Sequence, residues 1–200
     1  MITLLAAAIA YVLGAIPFGY LLVKRTTGAD VRTAGSGNIG ATNVLRTAGR
    51  AAGSATLLLD IGKGYLAVWI AGRLSGHGVT AMCVATLAVM AGHAFPVFLR
   101  FQGGKAVASF VGAFLCLTPL ALGAVLVVFV VVVAWTRYIS MGSVVSAATF
   151  PLSVWLMQKD LTMLATAAIA GAFIIYKHSS NIRRLHDGSE HVFTFGARKS

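Results

Sequence analysis

The chain has 200 residues, 58% of them hydrophobic and only 10% charged, with a mean hydropathy of +0.86. That composition excludes a water-soluble domain with one apolar core and indicates a polytopic membrane protein, a single membrane-embedded domain over 1–200. Sixteen basic against five acidic residues give +11, which in so apolar a chain points to loops facing an anionic leaflet or anionic substrates rather than nucleic acid.

Residues 2–23 carry no charge and suffice for one crossing, because about 20 apolar residues at ~1.5 Å each cover ~30 Å of hydrocarbon. No Lys or Arg precedes this run and Lys24-Arg25 follow it, the pattern of an uncleaved span with its N-terminus outside rather than of a signal peptide. Further spans are predicted at about 54–73, 79–98, 138–157 and 161–176. Between them lies an uncharged run of 31 residues, 106–136. As one helix it would be roughly 46 Å long, more than a bilayer needs, and Thr118-Pro119 divides it.

With that division the expected fold is all-α: seven transmembrane helices, N-terminus outside, C-terminus cytoplasmic, joined by cytoplasmic Gly-rich loops. Thirteen of the 16 basic residues, Arg198 and Lys199 among them, then share the cytoplasmic side. Six spans would send Arg137 and the basic tail outside. Asp60 and Lys63 lie three apart on one face of span two, where they can pair; a structural ion pair near the interface and a functional one both fit. Cys83 and Cys116 sit in apolar runs without metal-ligand spacing and are read as small buried apolar residues.

Several motifs fail on context. "GSGNIG" matches a dinucleotide fingerprint, with Asp60 about 20 residues on, but no strand precedes it and Asp60 lies in a span. "QGGKA" lacks the first Gly and the Ser or Thr of a Walker loop. A G-x-S-x-G elbow is absent, and no His is followed by Asp five residues on, so a covalent serine or His-Asp machine is disfavoured.

What remains is a set of polar islands that the topology places on one side. The first is "GSGNIGATNVLR", with Ser36, Asn38, Thr42, Asn43 and Arg46. The second is "GHAFPVFLRFQGGK", ending on Gly103, Gly104 and Lys105. The third is "KHSSNIRRLHDGSE", with His178, Asn181, Arg183 and Arg184. A smaller piece, "YISMGS", adds Ser140 and Ser143. Glycine pairs let backbone N–H groups converge on an anion, Asn, Ser and Thr add neutral donors, and Arg and Lys add charge. Together they suit a phosphate-bearing ligand at the membrane surface; ordinary turns with topogenic basic anchors are the competing reading. His93 is read as a satisfied histidine at the end of span three, and His77, His186 and His191 have no case for chemistry.

These islands resemble the three signature segments of the bacterial acyl-phosphate-dependent glycerol-3-phosphate acyltransferases, the PlsY family, in order, length and seven-span layout. Two positions depart from the family pattern: Ala106 follows the lysine where glycine is usual, and Ser179 follows His178 where a basic residue is usual. The resemblance implies transfer of a fatty acyl group from acyl-phosphate to the sn-1 hydroxyl of glycerol 3-phosphate, giving lysophosphatidic acid and phosphate in phospholipid biosynthesis. It further implies a multi-pass protein of the bacterial inner membrane with its site facing the cytoplasm; membrane lipid is the expected surrounding and a monomer the expected state, although the sequence itself does not give the oligomeric state. No metal and no cofactor is expected.

A mixed anhydride needs no serine nucleophile; holding both phosphates and the hydroxyl in line can be worth ~7–11 kcal/mol. On that reading Arg46, Lys105 and Ser143 clamp the phosphate of glycerol 3-phosphate, and His178 and Asn181 place its glycerol. Ser36, Asn38, Thr42 and Asn43, with the Gly103 and Gly104 amides, hold the acyl-phosphate and offset charge on its carbonyl oxygen. His178 or an oxygen of the donor phosphate takes the proton; the resemblance favours the phosphate, leaving His178 to orient. Residues 106–136 offer an apolar berth for the acyl chain. The rival classes are a carrier for a phosphorylated anion, which should show mid-membrane polar groups and an internal repeat, and a membrane anchor, which leaves the first island without a purpose.

Overall fold

The computed structural model describes residues 1–193; 194–200, with Arg198 and Lys199, lie outside the described residues. Among the described residues every regular element is helical. The chain forms two compact units, Met1–Leu117 and Thr118–Ser200.

In the first unit, α1 (Ile2–Ala15) and α2 (Phe18–Thr27) are one apolar segment interrupted at Ile16-Pro17. Pro17 has no N–H for the ladder, and Ile16 is extended before it (φ −63°, ψ 113°). A 3₁₀ turn at Val31–Thr33 leads to α3 (Ala41–Ser75), whose 35 residues are broken at Gly49 (φ 86°, ψ 179°). That backbone is open to glycine and strained for other residues. Next come α4 (Val79–Ala94), a 3₁₀ turn at Val97–Leu99, and α5 (Val107–Leu117).

Two reciprocal glycine contacts set this packing. A side chain on Gly14 of α1 would run into the Val89 carbonyl of α4, and one on Gly92 into that of Tyr11. Gly64 of α3 likewise lies against the Ser109 carbonyl of α5, and Gly112 against that of Ile61. Where lipid is as apolar as the side chains, such close approach, and not hydrophobicity, holds helices together.

The second unit begins with α6 (Pro119–Thr136), which has proline at its first position as the Thr118-Pro119 break predicts. It continues with α7 (Ile139–Gln158), α8 (Leu161–Lys177) and α9 (Ser179–His186). Asp160 caps α8 by accepting from the Met163 N–H at 2.8 Å, and α9 leaves α8 at a 55° bend.

The expectation of seven spans holds in part. Among the described residues, five helical segments are long and apolar enough to cross, and α8 with α9 makes a sixth if the bent pair counts as one. The departure is α5: its 11 residues reach roughly 16 Å, about half the hydrocarbon thickness. Proline divides the apolar run where expected, but helix does not begin until Val107. The chain is a multi-pass integral membrane protein with five to six such segments.

Gly112→Val, driving a branched side chain into the Ile61 carbonyl, should cost about 3 kcal/mol and lower the unfolding temperature in detergent. Gly123→Ala in α6, where an added Cβ meets nothing within 4 Å, should be neutral or stabilising by about 0.5–1 kcal/mol.

Candidate functional site

The first island is held together by one side chain. Asn43 is buried; its amide NH₂ reaches three carbonyls, Val31 (3.2 Å), Ala34 (3.0 Å) and Asn38 (2.8 Å), and its Oδ1 accepts from the Ser36 N–H at 2.9 Å. Gly35 and Gly37 take positive φ (58° and 70°), and a side chain on Gly35 would strike the Asn43 carboxamide. Asn38 closes an Asx turn on the Gly40 N–H at 2.7 Å. The island is therefore half loop and half helix, since Thr42, Asn43 and Arg46 lie in the first turns of α3. Ser36 and Arg46 are exposed, and Asn38 and Thr42 are partly so. Asn43 shapes the loop with both ends of its carboxamide, which makes its part in ligand binding indirect.

Arg32, outside the expected site, is engaged by Asp30. Its Nε and Nη2 fork the carboxylate at 3.0 and 2.6 Å, and its guanidinium lies 5.2 Å from the Tyr20 ring centre. The Arg32 hydrogen bonds hold the Asp30 carboxyl down to about 2.

Within the same unit the second island joins the first through a small apolar cluster: Leu99 packs with Val23, Val31, Ile39 and Val44. After it the chain turns sharply, with Arg100 and Phe101 at φ 51° and 62°. Gly104 donates its N–H to the His93 carbonyl at 3.0 Å. Side chains on Gly103 or Gly104 would strike His93, in the first case its carbonyl and in the second its ring. Gly103, Gly104 and Lys105 thus form a turn pressed onto the end of α4, with Lys105 half-buried. Ala106, the departure from the family pattern, is fully buried at φ 61°. That is a backbone glycine adopts without strain, so alanine here carries a local conformational cost.

Asp60 and Lys63 do pair, at 2.8 Å, with both side chains 3% exposed. Lys63 also donates to the Ile16 carbonyl at 2.8 Å. His93 is a satisfied helix-end histidine as expected, with Ser109 Oγ 3.2 Å from its Nδ1.

In the second unit, His178 is buried at the α8–α9 bend, its Nδ1 2.8 Å from the Ile174 carbonyl. A carbonyl only accepts, so Nδ1 carries the proton, and in the neutral ring Nε2 is the acceptor. Ser143 is buried and donates to the Ile139 carbonyl at 2.9 Å. Asn181 donates to Glu190 at 2.7 Å, as do Arg184 Nε (2.7 Å) and Ser140 Oγ (2.9 Å). Glu190 was not among the candidates, although it closes the quoted third island. Burial pushes its carboxyl up, but the three donors outweigh burial and hold it below its ordinary value. Arg183 is exposed. Among the described residues no cluster of His, Cys, Asp or Glu is arranged to hold a metal.

A family model described as glycerol-3-phosphate acyltransferase matches residues 4–188. The glycerol-3-phosphate acyltransferase of Geobacter sulfurreducens is 44% identical over 190 residues, 95% of this chain and 97% of the relative. That of Trichlorobacter lovleyi is 48% identical over 184 residues, 92% and 94% of the two chains. The crystal structure of PlsY, an integral membrane glycerol 3-phosphate acyltransferase, superposes in its glycerol 3-phosphate form with a TM-score of 0.90 at 35% identity, covering 96% of each chain. Its lysophosphatidic acid form gives 0.88 at 34% identity, covering 96% of this chain and 95% of that one.

Two outcomes check the site's construction. Ala106→Gly should leave stability within about 1 kcal/mol of the parent, relief of strain offsetting the added chain entropy, whereas branched Ala106→Val should cost about 2 kcal/mol or more by thermal unfolding. Because Glu190 is held below its ordinary 4.5, its contribution is present above that pH and lost as pH falls through the lowered value. Hydrogen exchange at the Ser189 and Glu190 amides, corrected for intrinsic rate, should accelerate in that window, and Glu190→Gln should remove the pH dependence.

Proposed function

The chain belongs to the glycerol-3-phosphate acyltransferase family, and from that premise we propose that it moves a fatty acyl group from acyl-phosphate to the sn-1 hydroxyl of glycerol 3-phosphate. The hydroxyl oxygen bonds to the acyl carbonyl carbon, the bond from that carbon to the phosphate oxygen breaks, and the hydroxyl proton leaves on the released phosphate. The products are 1-acyl-glycerol 3-phosphate, which is lysophosphatidic acid, and inorganic phosphate. The observation that carries this reading is the pairing, within one unit, of an Asn43-organised loop with the Gly103–Gly104–Lys105 turn through the shared Leu99 cluster. Both are rich in neutral donors, and neither presents an activated nucleophile.

In this proposal Arg46, Lys105 and Ser143 hold the phosphate of glycerol 3-phosphate, while His178 and Asn181 place its glycerol. With Nδ1–H on the Ile174 carbonyl, Nε2 is the acceptor atom of the neutral His178 ring, the tautomer suited to meeting a substrate hydroxyl and orienting it for attack. Ser36, Asn38, Thr42 and the Gly103 amide hold the donor phosphate and stabilise the charge gathering on the carbonyl oxygen, while the Gly104 N–H, given to the His93 carbonyl, shapes the turn instead. The donor phosphate takes the proton. An apolar groove of about 360 Å³ lined by Ile16, Pro17, Tyr20, Leu21, Phe98 and Leu99 receives the start of the acyl chain. It lies beside the Leu99 cluster and replaces 106–136 as the proposed berth.

We place the site on the cytoplasmic face of a bacterial inner membrane, N-terminus outside, in a monomer. Seven crossings require the non-helical Gly103–Ala106 segment to make up the depth that short α5 does not span. Non-helical backbone at that depth must be enclosed by protein, and Gly104 and Ala106 are buried.

The test is phosphate release from palmitoyl-phosphate by purified protein, with and without glycerol 3-phosphate. Release should require glycerol 3-phosphate, yield lysophosphatidic acid, and fall about 10²-fold in Lys105→Ala, the loss expected when a clamp that positions the substrate phosphate is removed. No release, with labelled glycerol 3-phosphate crossing sealed vesicles, would establish the carrier instead.

A further inference from the structure

Four polar side chains inside the first unit have no part in the reaction proposed above. Asp60, Lys63, His93 and Ser109 come from α3, α4 and α5, and none is more than 4% exposed. Lys63 Nζ bridges Asp60 Oδ1 and the Ile16 carbonyl, both at 2.8 Å. His93 Nδ1 lies 3.6 Å from the same Asp60 oxygen and 3.2 Å from Ser109 Oγ. A buried ion pair is a poor source of stability, since well-packed apolar residues of similar volume often serve as well. Its position is more informative than its energy.

His93 has two edges. The Nδ1 edge faces Asp60 and Ser109. The Nε2 edge occupies the space where Gly104 would carry a side chain, and the His93 carbonyl accepts the Gly104 N–H. The turn cannot hold its shape by local preference, because Arg100, Phe101 and Ala106 all sit at positive φ. It must be held from outside, and His93 touches it with both its carbonyl and its ring, beside Ala94 and Pro96. Asp60 and Ser109 fix that ring, and Lys63 fixes Asp60 to the carbonyl at the α1–α2 break.

We infer that the Asp60–Lys63–Ser109 cluster acts through His93 to position the Gly103–Gly104–Lys105 turn, making His93 a positioning residue for binding of the two phosphates. This rests on the function proposed above. The cluster links the turn to the part of α3 that follows the Gly49 break, on the far side of that break from Thr42 and Arg46.

Two variants test it. Ser109→Ala removes only the hydroxyl beside Nδ1. Asp60→Leu with Lys63→Met exchanges the ion pair for apolar groups of similar size, which preserves packing. KM for palmitoyl-phosphate and for glycerol 3-phosphate should rise two- to five-fold in Ser109→Ala and about ten-fold in the double variant, with kcat within three-fold of the parent. Loss of folded protein alone would lower apparent kcat and leave KM unchanged. An unchanged KM in either folded variant overturns the proposal. Tryptic cleavage after exposed Arg100 supplies a readout independent of catalysis and should quicken in both variants. If the parent shows no acyl transfer, the functional reading fails, and unchanged cleavage would then overturn the positioning role on its own account.

Discussion

Wherever a membrane-embedded chain departs from helix, its freed backbone groups must find partners inside the protein, because hydrocarbon offers none. This chain departs from helix at Ile16-Pro17 and beside its three main polar islands, and at these places a buried group answers. At Ile16-Pro17 the Lys63 ammonium takes the Ile16 carbonyl. In the first island the Asn43 carboxamide meets three carbonyls and one N–H. At the glycine turn the His93 carbonyl meets Gly104, and at the α8–α9 bend the His178 ring meets Ile174. Remove those partners and the irregular segments lose their reason to be where they are.

The chemistry follows from that construction. A site built from backbone amides, carboxamides and hydroxyls, with Arg and Lys at its margin, suits binding and orientation far better than covalent catalysis. The activated anhydride of the proposed donor asks for little more. The same constraint turns the hydrogen-bonding atoms of two buried side chains, Asn43 and His93, toward the chain itself. Ser36 and Arg46 are exposed and Lys105 half-buried, and they stand on the backbone those two side chains shape.

Glycine has two distinct uses in this molecule. At Gly35, Gly37 and Gly49 it supplies a positive φ, and at Gly14, Gly64, Gly92 and Gly112 it lets one helix backbone lie on another. Gly103 and Gly104 have ordinary φ and are small only because His93 and Pro96 are so near. Ala106 is the reverse case, a buried positive-φ position without glycine.

Composition, charge asymmetry and proline placement determined the membrane character, the break at Thr118-Pro119 and the location of the polar islands, since each is a local property written in consecutive residues. The i, i+3 spacing of Asp60 and Lys63 likewise foretold their pairing, because a helix alone sets that distance. Tertiary structure alone decided that α3 reaches back through Gly49 to take in half of the first island, and that α5 is too short to cross as helix. It also decided that Asn43 serves the loop and that Glu190 gathers Ser140, Asn181 and Arg184. Each depends on groups far apart in the chain, from Asn43 with Val31 to Ser140 with Glu190. A hydrogen bond across 12 or 50 residues leaves no periodicity to read; only the packed chain brings its two ends together.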